Sequence, residues 1–167
     1  MSDRSTTTEP RYVEGHGLLA GKRVLVTAAA GTGIGFQAAR RCVEEGATVV
    51  ISDKHERRCA ESAAELGVVG IPCDVTVEAD VQALISGAAA ALGGLDIIIN
   101  NAGLGGEVPI VDMTDDQWNL VLDVTLNGTF RCMRAEMQYL YANGGGVIVN
   151  NASVLGWRAQ EGQAHYA

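Results

Sequence analysis

The stretch TAAAGTGIG, residues Thr27–Gly35, joins a short apolar run to a segment with helical periodicity. Glycines at such a junction let backbone amides and the first turn of a helix approach a phosphate group, because no Cβ stands in the way. The pattern Gly33-x-Gly35-x-x-Ala38 also satisfies the glycine fingerprint of a dinucleotide-binding turn. A glycine-rich turn can equally serve tight packing alone, so the fingerprint needs support from the rest of the chain.

That support comes from short β-branched runs that alternate with helix-period segments on both sides of the loop. Five strands are predicted: Arg23–Val26, Thr48–Ile51, Val68–Ile71, Asp96–Ile99 and Val147–Val149. Strands separated by helices must run parallel. The apolar content of 47% with only 5% aromatic residues fits such a sheet under helical cover. The pattern predicts an α/β fold, a Rossmann-type doubly wound parallel sheet.

Composition excludes several classes of protein. The net charge of -8 opposes binding to nucleic acid, where lysine and arginine must replace counterions. The apolar, uncharged stretch Val81–Leu95 is too short to span a membrane and is broken by glycines, so we expect no membrane partner and a cytoplasmic location. The four cysteines are widely spaced and are expected to be buried, reduced thiols, with no metal ligands among them: Cys42, Cys59, Cys73 and Cys132. Residues 1–20 lack periodicity and are predicted to form a flexible arm before a domain over residues 21–167.

A long helix is predicted to begin at Thr114, where Gln117 completes a capping box. Apolar residues then recur at three- and four-residue intervals: Trp118, Val121, Leu122, Leu126, Phe130, Met133 and Met137. We interpret this stripe as packing against the sheet or another subunit, with no role toward a cofactor.

Each predicted strand is followed by a polar or glycine group, and the carboxyl ends of parallel strands line one crevice. Polar residues also end strands in ordinary turns, so a single position proves little. Asp53 carries the most information, because it ends the second strand 20 residues after Gly33. A carboxylate there can accept both ribose hydroxyls of an adenosine and would repel a 2′-phosphate, which favours NAD over NADP. Lys54, Arg57 and Arg58 could hold a phosphate instead, or form a solvated helix face.

Ser153 and Tyr166, 13 residues apart, are the candidate reacting groups. A tyrosine phenol titrates near about pH 10, so proton transfer near neutrality needs a nearby positive charge. The alternative is that Tyr166 packs in the core and Ser153 caps a helix or forms a turn.

Taken together, the glycine loop, Asp53, the CDVT segment at Cys73–Thr76, the NNAG segment at Asn100–Gly103 and the Ser153–Tyr166 spacing resemble the classical form of the short-chain dehydrogenases/reductases. The resemblance covers Lys22 to the end and implies the first five strands of that fold, a C-terminally incomplete NAD(P)-binding domain. It also implies hydride transfer between NAD(P) and a secondary alcohol or ketone, and homo-oligomers for a full-length relative.

The resemblance implies catalytic roles for Ser153, Tyr166 and Thr125. It implies that the cofactor is held by Gly31, Thr32, Gly33, Ile34, Gly35, Asp53, Asp74, Val75, Asn101, Ala102, Gly103 and Tyr166. No residue is assigned to a metal.

Three departures from the family pattern stand out. Ala28 replaces the first glycine of the loop, and Thr125, with Asn127 two residues later, stands where the family has an asparagine that holds a proton-relay water. The family lysine, four residues after the tyrosine, would fall beyond Ala167. We therefore expect negligible turnover by this polypeptide and marginal folding with an open sheet edge. The alternative function is a catalytically inactive dinucleotide-binding fragment.

Within the family, VTAAAGTGIG, SDKHERR, NNAGLGG and VIVNNASVLGWRAQ are most similar to actinobacterial members that act on CoA thioesters in steroid-ring breakdown. A 3-oxoacyl thioester reductase would share nearly all of these residues, so both substrate classes stay open.

Overall fold

The computed structural model describes residues 12–158 and 160–167 of the chain, and within them the strands form one parallel sheet. The strands are β1 (Arg23–Val26), β2 (Thr48–Asp53), β3 (Val69–Pro72), β4 (Ile97–Asn100) and β5 (Val147–Asn150). Their order across the sheet is β3-β2-β1-β4-β5. The chain therefore moves outward in one direction from β1 through β3 and then returns to the other side of β1, which places a switch point between β1 and β4.

The predicted fold class is confirmed, with small shifts at the strand ends. β3 and β4 each begin one residue later than predicted, and β2, β4 and β5 extend to include Asp53, Asn100 and Asn150. The register pairs Asn100 with Asn150 and Val26 with Ile99. Polar residues that the sequence suggested would follow the strands are thus the last residues of the strands themselves.

Five α-helices connect the strands in the described part of the chain. They are α1 (Ile34–Glu44), α2 (Glu56–Leu66), α3 (Glu78–Leu92), α4 (Asp115–Leu122) and α5 (Gly128–Ala142). A single turn of 3-10 helix follows β5 at Val154–Gly156.

Helices cover both faces of the sheet, and alternate side chains of each strand pack against one helix layer or the other. Leu25, Val50 and Ile98 pack against α3 and α5, whereas Val24 and Ile51 pack against α1 and α2. Fully buried β-branched and leucine side chains on both faces are what a parallel sheet between helices requires. The four cysteines lie buried in these two layers and are free thiols.

The long helix begins as predicted and then departs from the prediction. The Thr114 hydroxyl accepts a hydrogen bond from Gln117 N, and the Gln117 side chain accepts one from Thr114 N, which completes the capping box. After Leu122 the helix widens into a π-helical segment, Asp123–Asn127, that separates α4 from α5. A π-helical turn of this kind is rare and is often found at functional sites.

The apolar stripe on this helix does not serve packing alone. Val121 is buried, but Trp118, Leu126, Phe130 and Met137 are exposed. Three members of the stripe, Leu126, Phe130 and Met133, line a cleft described below. These three residues therefore form part of the cleft wall, and their packing against another subunit stays a prediction.

The segment that precedes β1 contacts the end of α1. Backbone amides of His16 and Leu18 donate to Glu45 Oε2 over 2.8 and 3.0 Å, and the Glu45 carboxylate also pairs with Arg41. The predicted flexible arm spans residues 1–20; residues 1–11 lie outside the described part of the chain, and residues 12–20 run beside this helix end. Over the described residues, no helix combines the length and apolar character that crossing a bilayer requires.

Candidate functional site

Two adjoining cavities lie at the carboxyl ends of the strands, at the switch point of the sheet. The larger has a volume of about 760 Å³ and the smaller about 400 Å³. Ala28, Ala102 and Gly103 line both of them. These residues follow β1 and β4, the two strands between which the order of the sheet reverses, so the two cavities form the two ends of one cleft.

The loops after β1 and β4 are bound to each other beneath this cleft. Asn101 N and Ala102 N donate to the Thr27 hydroxyl over 3.0 and 3.3 Å, and Asn101 Nδ2 donates to Ala28 O over 3.0 Å. Asn151 Nδ2 donates to Asn101 Oδ1 over 2.8 Å and adds the loop after β5. The Asn101 side chain thus holds three strand ends together at the wall of the cleft.

The glycine-rich turn divides into three parts. Gly33 and Ile34 line the larger cavity, and α1 begins there without any side-chain cap, so its first amides point toward the cleft with the positive end of the helix dipole. Gly31 N donates instead to the Ser62 hydroxyl over 2.9 Å. Thr32 is exposed and Gly35 is buried, and neither lines either of these two cavities.

Four glycines leave room in the larger cavity. The cavity is lined by Gly33, Gly103, Gly105 and Gly156, and a Cβ built on any of them meets no protein atom within 4 Å. An added methyl group there would stand in the space of the cleft. The donor set at this end therefore fits a phosphate-bearing group that lies close to the backbone.

Asp53 stands at the smaller cavity, close to the glycine turn. Its Oδ2 lies 3.4 Å from Ala30 N, and its Oδ1 accepts a hydrogen bond from His55 N over 2.9 Å. Burial raises the pKa of Asp53, while the Ala30 amide and the Arg58 guanidinium, 3.8 Å away, act in the opposite direction. A carboxylate with free lone pairs in a half-enclosed cavity is a suitable acceptor for a pair of ribose hydroxyls.

Asp74 and Val75 line the same smaller cavity. Burial acts to raise the pKa of Asp74, but the Lys54 ammonium and the Thr76 hydroxyl and amide outweigh it, and the pKa is lowered. Lys54 Nζ lies 2.6 Å from Asp74 Oδ2. The basic side chains suggested as phosphate ligands are thus paired with acids: Lys54 with Asp74, Arg58 with Asp53 and Arg57 with Glu61.

Ser153, Tyr166 and Thr125 all line the larger cavity, although they come from three separate segments. Ser153 precedes the 3-10 turn, and its Oγ accepts a hydrogen bond from Leu155 N over 3.2 Å. The capping role suggested for Ser153 therefore coexists with its place in the cleft. Since the cap uses one lone pair of the hydroxyl, its proton and second lone pair stay available to a ligand.

Thr125 lies in the π-helical segment, and its hydroxyl acts as both hydrogen-bond donor and acceptor toward the backbone of Leu104. Thr125 Oγ1 donates to Leu104 O over 3.1 Å and accepts from Leu104 N over 3.0 Å. One lone pair is left, so the hydroxyl can still accept a hydrogen bond from a water molecule. Asn127 does not line the cavity; its Nδ2 bonds to Asp123 Oδ1 over 3.3 Å.

The turn that carries Tyr166 packs against the loop after β4. Val108 N donates to Gly162 O over 2.8 Å, and His165 is buried beside Gly106. Tyr166 N donates to His165 Nδ1 over 3.1 Å, which fixes the imidazole with that nitrogen as an acceptor. The turn that carries Tyr166 is thus held against the loop that follows the NNAG segment through Gly162 and His165.

Several cleft residues were not predicted from the sequence. The larger cavity is also lined by apolar and hydroxyl side chains of the π-helical segment and α5, namely Leu126, Thr129, Phe130 and Met133. The sequence did not predict a cleft role for these residues, because their helical spacing is also typical of a packed face. Among the described residues, no group of three or more His, Cys, Asp or Glu side chains is arranged to hold a metal ion.

Comparison with known proteins agrees with this geometry. Residues 22–167 match the family described as short chain dehydrogenase, and the chain belongs to that family. It is 59% identical over 165 residues to a protein of Mycobacterium tuberculosis named (5R,7aS)-5-hydroxy-7a-methyl-1-oxo-2,3,5,6,7,7a-hexahydro-1H-indene-carboxyl-CoA reductase, over 95% of this chain and 63% of that protein. The resemblance to actinobacterial proteins that act on CoA thioesters is thereby confirmed.

Two further relatives are informative. A 2-dehydro-3-deoxy-L-rhamnonate dehydrogenase (NAD(+)) of a Sphingomonas species is 37% identical over 90% of this chain and 61% of its own length. A crystal structure of a short chain dehydrogenase from Mycobacterium smegmatis is 56% identical and superposes with a TM-score of 0.92, over 95% of this chain and 69% of that one. The chain thus spans somewhat less than two thirds of the length of both of these curated relatives.

Proposed function

We propose that this chain forms the cofactor-binding and proton-transferring part of an oxidoreductase that moves a hydride between NAD and a secondary alcohol or ketone. The observation that carries the proposal is the continuity of the cleft. Ser153, Tyr166 and Thr125 line one end, Asp53 lines the other, and Ala28, Ala102 and Gly103 line both. A dinucleotide is a ligand of the right length and polarity to reach from a ribose acceptor to a pair of hydroxyl groups.

Different residues of the cleft would bind different parts of the dinucleotide. Asp53 would accept the ribose hydroxyls of the adenosine, while Gly33, Ile34 and the first turn of α1 would face the pyrophosphate. Asn101 and Gly103 would border the nicotinamide end. Gly31, Thr32 and Gly35 serve this binding indirectly, since they shape the turn and do not line the cavities.

NAD is preferred over NADP in this proposal because of charge. A 2′-phosphate would meet the Asp53 carboxylate, and the neighbouring Lys54 is already engaged with Asp74. Moving Lys54 to a phosphate would leave Asp74 without its cation. One relative carries NAD(+) in its name, which supports the same preference.

The chemistry needs a proton at the substrate oxygen. When bound, NAD supplies the nicotinamide that accepts or donates the hydride. Tyr166 would give its phenolic proton to a carbonyl oxygen or take one from an alcohol, and Ser153 would hydrogen-bond the same oxygen through the hydroxyl proton that its capping bond leaves unused. Thr125 would hold the loop beside them and accept a hydrogen bond from a relay water.

We propose a CoA thioester bearing a ring ketone or ring alcohol as the substrate class. The relative from M. tuberculosis carries a hexahydroindene carboxyl-CoA in its name. The apolar wall formed by Leu126, Phe130 and Met133 suits a hydrocarbon ring system, and the cleft has the volume of a small-molecule site. A 3-oxoacyl thioester remains the second substrate class, because nothing in the cofactor half of the cleft distinguishes the two.

The alternative of an inactive dinucleotide-binding fragment is not favoured, since relatives over the same segment are named as reductases and dehydrogenases. We further propose a cytoplasmic location, in keeping with four free, buried thiols. A homo-oligomer is proposed for the whole protein, with the exposed Met137 and Tyr141 as candidates for a covered face.

Two measurements test the function: cofactor binding by this chain, and turnover by the whole protein that contains it. The first is equilibrium binding of NAD and NADP, with NAD expected to bind more tightly. The second is turnover of reduced cofactor with a CoA thioester of a ketone, compared with the Tyr166→Phe and Ser153→Ala variants, which should bind NAD normally and lose turnover. NAD binding without turnover in any protein would favour the non-catalytic alternative. No binding of either dinucleotide would overturn both.

A further inference from the structure

Glu136 lies on α5 and is completely buried between this helix and the sheet. Its Oε2 accepts a hydrogen bond from Asn100 Nδ2 over 2.9 Å. Its Oε1 has no hydrogen-bond partner among the described residues, and neither has Asn100 Oδ1. Two buried oxygen acceptors therefore meet at one place, and the described residues supply no hydrogen for either.

An ionised carboxylate in this position would lack a counter-charge. The two arginines of the same helix are bound to other acids, Arg131 to Asp123 and Arg134 to Glu78. The neighbouring Cys132 is buried, and burial raises its thiol pKa to about 12, so it is neutral. The facing residues of β4 and β5, Asn100 and Asn150, carry no charge. An isolated buried charge is costly enough that such a group normally takes up a proton.

We propose that Glu136 is a positioning residue that works in its protonated form, holding Asn100 through a neutral carboxyl group. The single proton would turn the unpartnered Oε1 into a donor, and the unpartnered Asn100 Oδ1 is the acceptor that lacks one. The carboxyl group and the side-chain amide can then exchange two hydrogen bonds, as a pair of amides does. In support, burial raises the pKa of Glu136 to about 7 against an opposing contribution from Asn100.

The effect on the cleft passes through Asn100. Its Nδ2 also donates to Asn150 Oδ1 over 3.0 Å, and Asn150 Nδ2 lies 3.3 Å from Met133 Sδ. Asn150 and Met133 line the larger cavity, and Asn101 follows Asn100 directly. Glu136 thus supports the ends of β4 and β5, from which the NNAG segment and the segment that leads to Ser153 depart. This role rests on the proposed function only where it concerns the cofactor.

The test compares Glu136→Gln with Glu136→Leu, and uses Glu65→Gln, an exposed glutamate of α2, as the control. Glutamine reproduces a neutral group with one acceptor and one donor, whereas leucine leaves Asn100 without its partner. The folded pKa of Glu136 is raised from 4.5 to about 7, so the wild type should lose stability as the pH rises through this interval. We expect the glutamine variant, which has no proton to lose, to match the wild type below about pH 4 and to be more stable above about pH 7. We expect the leucine variant to bind NAD about tenfold more weakly or worse.

Infrared difference spectra, wild type minus Glu136→Gln, provide a readout that does not depend on cofactor binding. Near about pH 6 the wild type should display the carbonyl stretch of a protonated carboxyl group. A carboxylate band in its place, or a glutamine variant as unstable as the leucine variant, would overturn the proposal. If NAD fails to bind to any variant while the infrared band and the pH dependence appear, the proposed function fails and the role of Glu136 in the fold stands.

Discussion

Gly35 lies directly against the loop that follows β1: a Cβ at position 35 would stand 2.5 Å from Asn101 Nδ2 and closer still to the carbonyl oxygen of Ala28. Both neighbours are fixed, because Asn101 donates to that same carbonyl. The glycine is therefore required for the close approach of α1 to the strand ends. Gly35 supports the site from beneath the cleft and does not line either cavity.

Replacement of Gly35 by alanine should lower the free energy of unfolding by about 1–3 kcal/mol, because backbone must move to admit the methyl group. Gly33→Ala is the matched control, since a Cβ there meets no protein atom and faces the larger cavity. It should leave the unfolding midpoint unchanged and weaken NAD binding. Denaturant unfolding and NAD titration of both variants separate the two effects, and equal midpoints would contradict this account of Gly35.

Ala28 adopts a φ of 48°, in the left-handed region that costs a residue with a Cβ roughly 1–2 kcal/mol. The family pattern has glycine at this position, and glycine adopts this φ without the strain that the Cβ of Ala28 causes. We expect Ala28→Gly to raise the free energy of unfolding by roughly 0.5–1 kcal/mol, the strain being only partly offset by the greater flexibility of glycine in the unfolded chain. Ala29→Gly, at a buried neighbour outside the left-handed region, should destabilise instead. A thermal denaturation series measures both.

Asp53 should control the choice of dinucleotide. With Asp53→Asn we expect NAD to bind about 10- to 100-fold more weakly, because hydrogen bonds to a charged acceptor are replaced by weaker ones. Binding of NADP should improve over the wild type, since the repulsion is removed and Arg58 loses its acid. Glu56→Gln, which removes an exposed charge from the first turn of α2, is the control and should change neither affinity. Equal NAD affinity in wild type and Asp53→Asn would argue against the assigned ribose contact.

Stability should fall at acidic pH through the pair formed by Arg23 and Asp96. The Arg23 guanidinium donates to both carboxylate oxygens, which holds the pKa of Asp96 at about 2. Because the folded pKa is below the ordinary value of 3.8, this stabilisation is present above about pH 4 and is lost as the pH falls toward about 2. Unfolding midpoints of Arg23→Gln should therefore depend less on pH in this interval. Arg40→Gln, from an exposed pair with Glu65, should leave the pH profile as it is.

The parts of the fold that were predicted from sequence depend on local patterns. Strand identity follows from short β-branched runs, and the placement of Asp53 and Asn101 in one cleft follows from parallel strands ending at one edge. The capping box at Thr114 is local as well and was predicted to the residue. Such features can be predicted without knowing which residues far apart in sequence contact one another.

Other features depend on contacts between residues far apart in sequence. The bonds from Asn101 and Ala102 to Thr27 cross more than 70 residues. Apolar periodicity runs through the π-helical segment without a break, so nothing local marks its wider turn. Glu136 stands in a helix where a glutamate normally faces water, and its burial depends on where β4 and β5 place Asn100 and Asn150. These features fix the positions of residues in and beneath the cleft, which local sequence patterns do not predict.

Thr125 offers a test of the π-helical segment itself. Thr125→Val keeps the shape of the side chain but removes both hydrogen bonds with Leu104, the residue that follows the NNAG segment. The loop beyond Leu104 supports the turn that carries Tyr166, through Val108 and Gly162 and through the contact of Gly106 with His165. We therefore expect faster hydrogen exchange at the Leu104 amide and slower turnover, with NAD affinity changed less than about threefold. Asn127→Ala, whose bond to Asp123 lies outside the cleft, should change neither quantity. If it slowed turnover as much as Thr125→Val, the asparagine and not the threonine would hold the position that the family pattern assigns to this helix.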